Sequence, residues 1–143
     1  MHNRIIFEIE QDEDGYPGVG AETVWATSVG ENTYKIDNIP FFVRDATLGD
    51  IIEATEINGV LAFKHTLSRS GNSLIRVHYA AEVDPQSIRD ELTNLGCSSE
   101  WHNHDRLIAI NVPPNVPLAK VQAFLRQGFE QERFDYEEAI LMQ

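Results

Sequence analysis

The chain has 143 residues, 23 acidic and 11 basic side chains, and a formal net charge of −12. That length suits one compact domain or two small lobes and buries enough surface to need no covalent staples, and the single cysteine, Cys97, excludes an internal disulfide. The charge disfavours nucleic acid and anionic lipid as partners, because phosphate contacts need Lys and Arg, and leaves either a basic partner or plain solubility as its meaning.

Residues 1–70 carry 12 acids and 5 bases, and residues 71–143 carry 11 and 6, so the acidity is not confined to a tail. Met1-His2-Asn3-Arg4 leads into an alternating segment with no apolar leader-like stretch. No apolar run approaches the ~18 residues of a spanning helix. A cytoplasmic protein that does not contact a membrane is expected, and the lone cysteine fits a reducing compartment.

The first half reads as strands. Arg4–Gln11 alternates around Ile5, Phe7 and Ile9 with a period of two. Asp12-Glu13-Asp14-Gly15-Tyr16-Pro17-Gly18 is a loop by its glycine and proline content. Glu22–Val29 places Val24 and Ala26 on one face and Thr23, Trp25, Thr27 and Val29 on the other. A turn at Gly30-Glu31-Asn32 precedes a short strand at Thr33–Ile36. Asp37-Asn38-Ile39-Pro40 turns again before Phe41-Phe42-Val43. Asp50–Thr55 and Val60–Leu67 flank Asn58-Gly59, a type I′ hairpin signal. Five or six short strands predict a small antiparallel barrel or curled sheet over residues 1–70.

The second half changes character. Ser73–Ala80 is a strand, with Leu74, Arg76 and His78 opposite Ile75, Val77 and Tyr79. Asp84-Pro85 starts a helix, the carboxylate capping and the proline at its first position. Ile88, Leu92 and Leu95 form its apolar stripe and Gly96 its C-terminal cap. Cys97–His102 and Leu107–Val112 read as a hairpin. Pro117 opens a second helix with Leu118, Val121 and Leu125 inward, and Gly128 is expected to end it. Phe134, Tyr136 and Ile140 supply a last strand. The order β-α-β-β-α-β predicts a ferredoxin-like α+β lobe over residues 71–143, packed with the first lobe as one unit.

No recognisable catalytic set is present. His102-Asn103-His104-Asp105 places two imidazoles and a carboxylate within reach of a metal, but the spacing is not that of a standard zinc motif, so it reads as a polar hairpin tip. Asp12-Glu13-Asp14-Gly15 lacks the alternation and distal glutamate of a calcium loop and reads as a solvated acidic turn. Cys97 sits at a helix-to-strand junction, the setting of a small buried residue. Arg76, inside a strand, is expected to pair with a carboxylate across the sheet. No phosphate-cradling glycine motif or nucleophile elbow occurs, and no cofactor or metal is implied.

Several stretches together are similar to a known family. They are Asp12-Glu13-Asp14-Gly15-Tyr16-Pro17, Glu22 with Trp25, Tyr34 through Asn38-Ile39-Pro40-Phe41-Phe42, Gly49-Asp50, and Ser70-Gly71-Asn72-Ser73 with Arg76-Val77. The chain resembles the bacterial domain-of-unknown-function (DUF) family 4265. The resemblance implies an intracellular bacterial protein and supplies no activity. Members often have histidine after the Ser-Gly, where this chain has Asn72.

Three functions are compatible with these residues. The first is a binding protein that neutralises a basic partner, for example an immunity protein against a cognate bacterial toxin. Its contacts would be Asp12, Glu13, Asp14, Glu31, Asp37 and Asp45, with Tyr16 as an aromatic anchor. The second is an enzyme or small-ligand binder with a pocket between the lobes, built from Trp25, Asp50, Arg76, His78 and His102. The third is a regulatory module that pairs edge to edge, a reading that rests on fold analogy.

Overall fold

Alternation of apolar and polar residues dictates the strands of the first half. The computed structural model describes residues 2–143. Five strands, β1 (His2–Glu8), β2 (Ala21–Gly30), β3 (Thr33–Ile36), β4 (Ile51–Ile57) and β5 (Val60–Ser68), follow one another in space as in sequence and close into a barrel. Every second residue points inward: Ile5 and Phe7, Val24 and Ala26, Ile36, Ile52 and Ala54 are buried. Phe7 and Phe63 stack with ring centroids 4.3 Å apart. Asn58 at φ 53 and Gly59 at φ 83 make the two-residue β4–β5 turn, a geometry glycine adopts without a Cβ penalty.

The expected barrel was wholly antiparallel, and one seam departs from that. The four consecutive ladders are antiparallel, but β1 and β5 pair in parallel through Ile5↔Leu61 and Ile6↔Ala62. An odd number of up-and-down strands leaves the first and last running the same way, so closure must be parallel. The first strand also ends at Glu8, short of the expected Gln11. The backbone N–H of Ile9 still donates to Gly20 O at 2.9 Å before the chain enters the acidic loop.

The second half forms a four-stranded antiparallel sheet in the order β7-β8-β6-β9, from β6 (Ser73–Tyr79), β7 (Ser98–His102), β8 (Leu107–Val112) and β9 (Phe134–Ile140). Helix α1 (Pro85–Asn94) lies between β6 and β7, and α2 (Leu118–Glu130) between β8 and β9. The Asp84 carboxylate accepts from Gln86 N at 3.0 Å, satisfying one of the orphan donors at the start of α1. Gly96, at φ 98, takes the left-handed position after it. Ile88 and Leu92 of α1 and Leu118, Val121 and Leu125 of α2 pack with Ile75, Val77, Ile108 and Ile110 of the sheet. Each such side chain contributes about 1.5–3 kcal/mol by leaving water. Strand β8 is buried on both faces.

Gly128 does not end α2. The helix runs on to Glu130, and the left-handed position falls at Glu132, φ 59. Gly128 is instead buried in the last turn, where the ring of Phe134 lies against its backbone. Contacts cluster into two compact units, Met1–Ser70 and Gly71–Gln143. No helix among the described residues is long and apolar enough to cross a membrane.

Candidate functional site

The residues named for partner contact lie on three connections of the barrel, those between β1 and β2, β2 and β3, and β3 and β4. Asp12 is exposed, but its Oδ1 accepts from Asp14 N and Tyr16 N, both at 2.9 Å, so its carboxylate holds the turn together. Glu13 and Asp14 project from that turn into solvent. Tyr16 is half-buried. Glu31 lies in the β2–β3 turn. Asp37 accepts from Thr27 Oγ1 at 2.6 Å and faces His2 Nε2 at 3.5 Å. Asp45 is exposed on the long β3–β4 connection.

A surface depression of about 430 Å³ joins Asp45 to residues that sequence reasoning missed. It is lined by Glu8, Ile9, Glu10, Phe42, Arg44 and Asp45. Glu8 and Glu10 rim it because the alternation that buries Ile5 and Phe7 turns the even positions outward. Ile9 and Phe42 are half-buried and give it an apolar floor. Asp12, Glu13 and Asp14 belong to the loop that Glu10 enters, whereas Glu31 and Asp37 do not line the depression.

Phe42 is held there by a carboxylate. Glu22 Oε2 accepts from Phe41 N at 2.7 Å, and its Oε1 accepts from Phe42 N at 2.8 Å and Val43 N at 3.0 Å. Three consecutive amides of an irregular segment are thus satisfied by one side chain. Asn38 Oδ1 similarly accepts from Trp25 N at 2.8 Å.

The residues named for a ligand pocket are divided between the two units and largely committed to structure. Trp25 is 45% exposed and carries the Arg4 guanidinium 5.6 Å from its ring centroid. Asp50 is fully buried. Its Oδ2 accepts from Thr47 N at 2.9 Å and Arg69 Nη1 at 3.1 Å, and its Oδ1 from Ser70 N at 2.8 Å. Arg76, 1% exposed, donates to Glu137 Oε1 at 3.2 Å, the residue directly opposite on β9. His78 and His102 share a face but lie in register on either side of Leu107. Two strand spacings, about 9.6 Å, therefore separate them.

His102 Nδ1 faces Asp105 Oδ2 at 3.2 Å, and the His102 and His104 rings are 6.5 Å apart. Among the described residues no three His, Cys, Asp or Glu side chains converge as a metal would require. Cys97 is buried, and burial pushes its thiol up to about 11, which keeps it protonated and unreactive at neutral pH.

A family model described as "Domain of unknown function (DUF4265)" matches residues 22–136. The fold is similar to that of a solved structure described as a novel crystal structure of a hypothetical protein from Neisseria gonorrhoeae. The likeness has a TM-score of 0.84 at 18% identity and covers 100% of this chain and 97% of that one. No curated protein matches the chain.

Proposed function

The chain belongs to the domain-of-unknown-function family DUF4265, and from that premise we propose that it is an acidic protein-binding protein whose partner is basic. The observation that carries this reading is the depression in which Phe42 and Ile9 are rimmed by Glu8, Glu10 and Asp45. An apolar centre with a charged rim is the anatomy of a binding hot spot: the centre desolvates and the rim selects and steers. Glu13 and Asp14 extend the negative rim along the adjoining loop. Arg44 also lines the depression, but the rim carries three carboxylates against that one guanidinium.

The specific form we propose is an immunity protein that neutralises a basic toxin of the same organism. A cytoplasmic setting suits a chain whose single cysteine is a buried free thiol. We read Gly71–Gln143 as a ferredoxin-like lobe. The order β7-β8-β6-β9, with a helix in each of the β6–β7 and β8–β9 connections, supports that reading.

Affinity capture from the native host tests the function. The wild-type chain is expected to retain a protein of high isoelectric point. A variant with Glu8→Gln, Glu10→Gln, Glu13→Gln and Asp45→Asn is expected to lose it. Capture of no basic protein, or equal capture by the variant, would overturn the reading.

A further inference from the structure

A second groove lies wholly within Gly71–Gln143, of about 540 Å³, where the end of α2 meets the starts of β9 and the β6–α1 connection. Its walls include Phe129, Phe134 and His78 together with the acidic residues Glu130, Glu132 and Asp135. The last of these accepts from Tyr136 N at 2.8 Å through Oδ1 and keeps Oδ2 for a further donor. Phe129 is 51% exposed, and its ring meets Tyr136 edge-on at 6.4 Å, which leaves much of its surface to solvent. No Lys or Arg lines the groove among the described residues. Arg133, the nearest in sequence, turns to Glu91 Oε2 at 3.2 Å.

The local charge runs against the helix. The C-terminus of a helix is its negative end and favours cations. Here the last turn of α2 has no basic residue, and Glu130 and Glu132 stand at or just past it. Carboxylates at the negative pole, beside an exposed aromatic ring, make a seat whose own charges repel until a cation arrives. A planar guanidinium suits it better than an ammonium, because it stacks on a ring face while bonding carboxylates at its edge.

We propose that this groove seats an arginine side chain of a protein partner, stacked on Phe129 and held by Glu130, Glu132 and Asp135. The inference does not depend on the depression around Phe42.

Titration of the full-length ¹⁵N-labelled chain with a capped tetra-arginine peptide tests it. Amide shifts are expected at Phe129–Asp135 and at His78. Phe129→Ala, a change at an exposed position, and the pair Glu130→Gln with Glu132→Gln are each expected to weaken that response about fivefold or more. Tetra-lysine, of equal charge, is expected to bind about threefold or more weakly. Shifts spread over all acidic residues alike, a response indifferent to Phe129→Ala, or equal binding of tetra-lysine would overturn the proposal. Shifts at Glu8, Glu10 and Asp45 alone would favour the first reading and overturn this one. Shifts at Phe129–Asp135 alone would support this proposal and leave the first reading to its own capture experiment.

Discussion

The ring of Phe134 lies so close over Gly128 that a Cβ added to the glycine would sit 2.0 Å from Cζ. The glycine is there for space, at the point where β9 leaves the last turn of α2. Alanine is the better helix former by about 1 kcal/mol, yet the contact outweighs that gain. Gly128→Ala is expected to destabilise the chain by about 1–3 kcal/mol net in denaturant unfolding. Adding Phe134→Leu, which removes the far end of the ring, is expected to recover part of the loss. A stabilised Gly128→Ala chain would show that the ring moves aside freely.

Glu22 fixes the segment that presents Phe42. Glu22→Ala removes the acceptor of three amides in a half-buried stretch and is expected to cost about 1–3 kcal/mol. Hydrogen exchange at Phe41, Phe42 and Val43 is expected to accelerate well before that of β2. Glu22→Gln keeps one acceptor oxygen and is expected to fall between wild type and alanine. Unchanged protection at those three amides would contradict the role given to Glu22.

Arg76 and Glu137 differ in burial, 1% against 32% for their side chains, and this sets the order of their mutants. Glu137→Ala leaves the buried guanidinium without this carboxylate and is expected to cost about 3–5 kcal/mol. Arg76→Met removes the buried charge and leaves only a carboxylate that water reaches, so it is expected to cost less. The opposite order in equilibrium unfolding would contradict this account of the pair.

How much of this was legible in the sequence depends on how far each cause reaches along the chain. The Asn58-Gly59 turn and the Asp84 cap are decided by neighbours two or three residues away, and both stand where the residues placed them. The outward aim of Glu8 and Glu10 was readable from the alternation that buries Ile5 and Phe7, but their place on a rim beside Asp45 is tertiary. Phe42 was not, because its position depends on a carboxylate 20 residues earlier. Gly128 looked like a helix end because glycine usually is one there; the ring that requires it comes six residues later, from another element. The parallel β1–β5 seam is a property of strand count, which local patterns do not report. The expected pairing of Arg76 with a carboxylate across the sheet holds, with Glu137 as the partner. The amides that occupy Asp50, by contrast, come in part from Ser70, 20 residues on, and show only in three dimensions.

Cys97 gives a pH dependence. Its thiol is raised from 9.0 to about 11 by burial, so the folded chain holds the proton longer than the unfolded one. The associated stability is fully present below pH 9 and is lost as pH rises toward about 11. Cys97→Ala is expected to flatten that part of the stability profile. Iodoacetamide at pH 8 is expected to label the thiol readily in denaturant and only slowly in the folded chain. Rapid native labelling would contradict the burial argument.

The claim that matters most is that the acidic rim around Phe42 steers a basic partner, and association kinetics measure it most directly. With the captured partner immobilised, the association rate of the wild-type chain is expected to fall steeply with added salt. Neutralising Glu8, Glu10, Glu13 and Asp45 together is expected to slow association about tenfold or more at low salt and to abolish most of the salt dependence. An association rate that is the same for both proteins, and indifferent to salt, would contradict the claim.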